Sequence, residues 1–160
     1  MIIELQWDFT TTGLLGVGSG WSISPGGLVL RFYVEDSLDG GCGGVNTNIQ
    51  TGTATTTFST TEPVRIDAII DGMAEPFQTG RESITVTVDG GLIGYGESFQ
   101  IQRNPPPTSC QAGPIRVLER PAFLVPGTHT IEVFVTTTDG SQHNGVGFSA
   151  ELVFTSSMHA

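Results

Sequence analysis

No window of this chain repeats its apolar residues at the 3.6-residue spacing of an amphipathic helix. Short runs alternate apolar and polar residues at period two instead, and glycine, proline, asparagine or aspartate closes nearly every run. A chain patterned this way buries one face of each strand against another layer and turns sharply between strands.

The runs can be followed in order. Ile3, Leu5, Trp7 and Phe9 share one face of a first predicted strand, with Glu4, Gln6 and Asp8 on the other. Residues 10–20 read as a Thr/Gly loop, and Trp21 to Ser24 as a short strand before a turn at Pro25, Gly26 and Gly27. Leu28, Leu30, Phe32 and Val34 share the next face, on whose reverse Tyr33 sits with Arg31 and Glu35 as a surface residue. A long acidic glycine loop follows, from Glu35 to Gly44. Residues 45–61 are rich in threonine and carry few large apolar residues beyond Ile49 and Phe58. Strands here are expected at an edge or with one face exposed, with Gly52 as a break.

Val64, Ile66, Ala68 and Ile70 make a further strand, ended by Asp71-Gly72. Ile84, Val86 and Val88 lead through Asp89-Gly90-Gly91 into Leu92-Ile93-Gly94-Tyr95, a strong hairpin signal. Asn104 and Pro105 to Pro107 stop any strand, Ile115 and Val117 make a short one, and Pro121 and Pro126 bracket Ala122 to Val125. Two final strands carry Ile131, Val133 and Val135, then Phe148, Ala150, Leu152 and Phe154, joined by Asp139 to Gly145. About eight to ten strands at this turn spacing predict an all-β, jelly-roll-like antiparallel β-sandwich. Residues 1–155 are read as a single domain and 156–160 as a flexible tail.

Charge narrows the partners. Sixteen acidic residues face six arginines and no lysine, for a formal net charge of −10. Such a surface repels nucleic acid and anionic membranes, both of which are held through Lys and Arg. Met1 to Phe9 lacks the basic and continuous apolar regions of a signal peptide, so none is predicted. No apolar run is long enough to span a bilayer.

Catalytic signatures are missing from the sequence: there is no Gly-x-Ser-x-Gly elbow and no His-Glu-x-x-His. His129 lies within a predicted strand, and only His143 and His159 join it. Cys42 and Cys110 stand in Gly- or Pro-rich loops, where they either pair as a disulfide or remain free thiols, and their spacing fits no zinc motif. Glu35, Asp36 and Asp39 offer oxygens for Ca²⁺ but lack the EF-hand spacing. No cofactor is predicted.

One stretch carries a resemblance. Ile84 to Gly94, a strand–Asp-Gly–strand hairpin, is followed by Leu124-Val125-Pro126-Gly127-Thr128-His129-Thr130-Ile131. Together these resemble the second half of many jelly-roll domains, over residues 64–155. Carbohydrate-binding modules and virion proteins such as capsid decorations and tail or fibre heads are of this kind. The resemblance implies a fold and carries no ligand residue across.

Two functional expectations follow. The first is a non-enzymatic structural protein of a viral particle, a capsid decoration, cement or tail component. It would contact other virion proteins or copies of itself, some through strand edges added to a neighbour's sheet. The alternative is an extracellular carbohydrate-binding module or lectin. Sugar sites pair an aromatic face with hydrogen-bonding side chains, which selects Trp21, Tyr95 and the polar loop residues Asp139, His143 and Asn144 as candidates. Trp7 is assigned to the core, and Trp21 is open to either a core or an exposed position.

Overall fold

A computed structural model of the protein describes residues 3–13, 20–34, 50–73, 81–99, 115–137 and 146–156. Eleven strands lie among them: β1 (Asp8–Thr12), β2 (Gly20–Ile23), β3 (Val29–Val34), β4 (Gln50–Thr60), β5 (Val64–Met73), β6 (Arg81–Val88), β7 (Gly91–Phe99), β8 (Ile115–Glu119), β9 (Ala122–Leu124), β10 (Gly127–Thr137) and β11 (Val146–Ser156). They form two antiparallel sheets. Sheet A runs β1-β4-β10-β6-β7-β8 and sheet B runs β2-β3-β11-β5-β9. Successive strands alternate between the sheets from β3 to β6 and again from β8 to β11. The inner orders β4-β10-β6-β7 and β3-β11-β5-β9 are those of a jelly roll, in which two Greek keys roll one hairpinned ribbon into facing sheets.

The period-two pattern becomes one core. Leu30 and Phe32 of β3, Val64, Ile66, Ala68 and Ile70 of β5, and Phe148, Ala150 and Leu152 of β11 face inward from sheet B. Ile84, Val86 and Val88 of β6 meet them from sheet A with Ile131, Val133 and Val135 of β10. The Asp89-Gly90 turn is a two-residue hairpin loop with positive φ at both positions, 49° and 81°, the type I′ geometry whose twist suits strand pairs. The register slips beyond Val86, so Val86 faces Gly94 and Thr87 faces Leu92. Ile93 is the extra residue of this bulge and turns into the core.

Three expectations need correction. The first strand begins at Asp8 rather than Ile3, because the backbone of residues 3–7 bonds to side elements and not to a ladder. The Leu5 N–H donates to the Gly26 carbonyl at 2.9 Å, and the Thr56 hydroxyl donates to the Gln6 carbonyl. Phe9 is consequently an edge residue and not a core one. Gly52 does not break β4, which runs unbroken between β1 and β10 and is therefore not an edge strand. Only glycine fits there: a Cβ at this position would stand 2.2 Å from the Phe32 ring. The segment does keep one face out of the core, as half-buried Thr51, Thr53 and Thr55 and exposed Thr57 and Ser59 alternate with buried neighbours. Pro121, with no N–H to give a ladder, separates β8 from β9. The chain there leaves sheet A for sheet B.

Candidate functional site

The residues selected for sugar binding do not converge. Trp21 is half-buried and spent on packing. Its ring lies 5.6 Å from Phe9 and 4.8 Å from Phe32, centroid to centroid, and its indole N–H donates to the Thr10 carbonyl at 3.3 Å. Tyr95 sits on β7 in the other sheet, half-buried, with its hydroxyl donating to Glu97 Oε2 at 2.7 Å. Asp139, His143 and Asn144 lie outside the described residues, as do Cys42, Cys110 and the acidic residues Glu35, Asp36 and Asp39. Among the described residues, no group of three or more His, Cys, Asp or Glu side chains is placed to hold a metal ion.

What the structure brings together instead is an edge. β8 ends sheet A and β9 ends sheet B, joined through Arg120 and Pro121 on the same side of the sandwich. This side leaves large apolar groups in water. Phe123 is 69% exposed and Val125 71%, and Val117 and Leu118 of β8 and Ile69 of β5 are exposed as well. Leucine and valine scattered singly on a surface need no account, whereas apolar groups gathered on one edge mark a contact surface. Arg65 lies opposite Phe123 in the ladder, with its guanidinium 5.7 Å from the ring centroid. Asp67 fixes that guanidinium through bonds of 2.8 and 3.0 Å.

The backbone of the edge is blunted even though its side chains are exposed. β9 is three residues long and bracketed by Pro121 and Pro126, devices that discourage strand addition. Glu119 reaches across from β8, where its Oε1 accepts the Ile70 N–H at 3.0 Å. That N–H lies on the stretch of β5 beyond its pairing with β9. The expectation of edges that add to a neighbour's sheet does not suit β9; the surface it offers is made of side chains.

A buried histidine anchors the C-terminal end of this edge. His129 Nε2 lies 2.8 Å from the Val125 carbonyl, and Nδ1 lies 2.6 Å from Asp89 Oδ2. Asp89 Oδ1 also accepts the Thr130 N–H at 2.9 Å, tying the β6–β7 turn to β10. Both ring nitrogens face oxygen acceptors, which only the doubly protonated ring satisfies in full. Burial works against that charge, but Asp89 and the Val125 carbonyl outweigh it and raise the His129 pKa. The Thr130 N–H, then His129, hold the Asp89 carboxyl below its usual range. With both nitrogens engaged, the pair has no open position for a reacting group; it is a clamp. Phe58 packs beside it, its ring 5.8 Å from the imidazole and edge-on to Phe154 at 5.4 Å.

Neither Phe123 and Val125 nor the Asp89–His129 pair stood out in the sequence as a site. The signal was present in part: an apolar run too short for a core strand and fenced by prolines is an edge strand. A scan against protein-family models finds no match to this chain, and a search of curated proteins finds none either.

Proposed function

We propose that this chain is a non-enzymatic structural protein of an assembled particle, of the virion decoration or tail type, and that it works through protein–protein contact. The observation that carries this reading is the exposed apolar edge of β8 and β9, with Phe123 and Val125 at its centre. A jelly roll with one sealed side and one apolar side is suited to docking.

The partner we assign to the edge is a second copy of the chain. The whole chain carries a net charge of −10, so copies repel over most of their surface. Along this edge Arg65, Arg116 and Arg120 offset Asp67, Glu97 and Glu119. Two acidic protomers can therefore approach here with little like-charge penalty.

The test is the mass of the purified protein in solution by light scattering and native mass spectrometry. An oligomer is expected, and Phe123→Asp is expected to return it to monomers without lowering the melting temperature. A wild-type protein that stays monomeric at high micromolar concentration, alone and with candidate particle components, overturns the reading.

A further inference from the structure

On the outer face of sheet B, far from the β8–β9 edge, is an open groove of about 500 Å³, within the size range of small-molecule sites. Two rows of side chains build it. Register aligns Arg31 with Ser149 and Ser149 with Asp71, so these three cross β3, β11 and β5 in one line. In the next row Tyr33 is flanked by Gly20 on β2 and Gly147 on β11. A Cβ added at Gly147 would meet the Tyr33 ring at 3.6 Å, so the ring leans over this glycine. Tyr33 is 37% exposed, and Arg31 and Asp71 are exposed beside it. They stand two strand spacings apart, about 9.5 Å, with only the small Ser149 side chain between them.

We infer that this groove binds a saccharide, with the C–H face of one pyranose ring against Tyr33 and its hydroxyls shared among Arg31, Ser149 and Asp71. The chemistry of the lining selects this ligand class. Asp71 repels a phosphate or sulfate that Arg31 alone would attract. A single carboxylate offers too few oxygens for a hard cation. A peptide strand would need a free sheet edge; β3 and β11 each have a neighbour on both sides, and on β5 beside the groove the Ile70 and Gly72 N–H groups are already bonded to Glu119 Oε1 and Asp71 Oδ1. What remains is a neutral polyhydroxyl compound with an aliphatic face. It meets a donor fork at Arg31, an acceptor pair at Asp71, a two-way hydroxyl at Ser149 and a ring to stack on. The site is not the one that the sequence suggested: Trp21 and Tyr95 take no part in it.

The groove stands apart from the assembly edge. Asp71 and Arg65 are six positions apart on β5, about 20 Å, so variants of one surface leave the other intact. The experiment is a glycan-array screen of the intact protein. It is followed by saturation-transfer NMR and calorimetry with maltose, cellobiose, lactose and chitobiose at millimolar concentration. At least one defined glycan is expected to bind. Tyr33→Ala is expected to abolish the signal, and Asp71→Asn to weaken binding about tenfold, while Phe123→Asp leaves it unchanged. Asp71→Asn is decisive even where Tyr33→Ala fails to fold, since Asn Oδ1 keeps the bond that Asp71 accepts from the Gly72 N–H at 2.8 Å. Silence across the array and the panel overturns the assignment, and so does binding that ignores Asp71→Asn. Failure of the self-association test would leave this outcome untouched.

Discussion

The two sides of this sandwich solve the same problem in opposite ways. At the β1–β2 side, the gap between the sheets is sealed. Residues 3–7 run across it as a strap: the Trp7 indole N–H donates to the Gly27 carbonyl at 2.8 Å, the Leu5 side chain is buried, and Phe9, Trp21 and Phe32 stack inward from rim to core. At the β8–β9 side no such strap is seen among the described residues. Val117 points toward the sandwich interior, opposite Gly96, yet stays exposed, and Phe123 faces water. One side packs Trp21 between Phe9 and the buried Phe32; the other leaves Phe123 in water. The difference is one of degree: the β1–β2 side leaves Phe9 38% and Ile23 43% exposed, against 69% for Phe123 and 71% for Val125.

The largest expected effect tests the sealed side. Phe32 fills the space that a side chain at position 52 would otherwise take. Phe32→Ala is expected to cost about 3–5 kcal/mol in urea unfolding, while Phe123→Ala on the open side stays within about 0.5 kcal/mol. Gly52→Ala should cost about 1–3 kcal/mol by overpacking, and much of that cost should vanish when Phe32 is also truncated, since both act on one volume. Equal losses for Phe32→Ala and Phe123→Ala would mean that the two sides do not differ in the way described. An additive Gly52–Phe32 double mutant would break the packing account by itself.

A smaller effect sharpens the strap. Trp7→Phe keeps most of the apolar surface and loses the bond to Gly27, for an expected loss of about 1 kcal/mol. Gly27 is itself fixed by two demands: φ is +76°, and a Cβ would stand 2.2 Å from the Leu5 carbonyl oxygen. Gly27→Ala should therefore cost more than Trp7→Phe, by the same urea measurement.

These contrasts also show which parts of the molecule could be read from residues alone. Alternation named the inward faces of β3, β5, β6, β10 and β11 correctly, because period two is a local property of the chain. The Asp89-Gly90 hairpin was equally local. Phe9 and Gly52 were misread for the opposite reason. Their fates depend on Trp21 and Phe32, partners distant in sequence that no window contains. The binding surfaces suffered most. Trp21 was chosen by residue type, but whether a tryptophan stacks on a ligand or on Phe9 is decided by which strands become neighbours. Tyr33, whose face was read correctly as a surface one, only becomes a groove wall once Gly20 and Gly147 are placed on either side of it. The open side was marked by its prolines, but its exposure could not be known before β8 and β9 were seen to be terminal strands.

The clamp at His129 makes the open side sensitive to pH. The His129 pKa is raised in the folded protein, so the charged ring's contribution is full below the usual histidine value of about 6.5. It is lost as pH rises through the folded value. The Asp89 pKa is lowered, so its contribution is present above the usual carboxylate range, about 4, and is lost as pH falls through the folded value. Taken alone, this pair makes stability greatest between about pH 4 and 6.5. His129→Gln should remove the decline on the alkaline side, read as the urea midpoint against pH. A wild-type midpoint that rises between pH 6 and 8 where the variant's does not would show that the ring is not charged in the folded protein. Protection from hydrogen exchange, taken relative to the intrinsic rate at each pH, should fall at Phe123 and Leu124 over the same alkaline range, while protection at Trp21 on the sealed side stays constant.

The smallest effect concerns the face that both sides share. Thr57 and Thr130 pair across β4 and β10 with their hydroxyl oxygens 3.3 Å apart, and Ser59 and Thr128 do the same at 3.0 Å. These hydroxyls are exposed, so water replaces any bond that is lost. Thr57→Val keeps the β-branched shape that suits a strand, and should change stability by less than about 0.5 kcal/mol. The effect on solubility runs the other way. Each threonine replaced by valine adds apolar surface to the outer face of sheet A, and a triple change at Thr53, Thr55 and Thr57 should promote aggregation while the folded chain remains as stable as before. If that triple variant unfolds at markedly lower urea, the threonine face contributes to the fold itself, and the distinction between a sealed side, an open side and an inert face no longer holds.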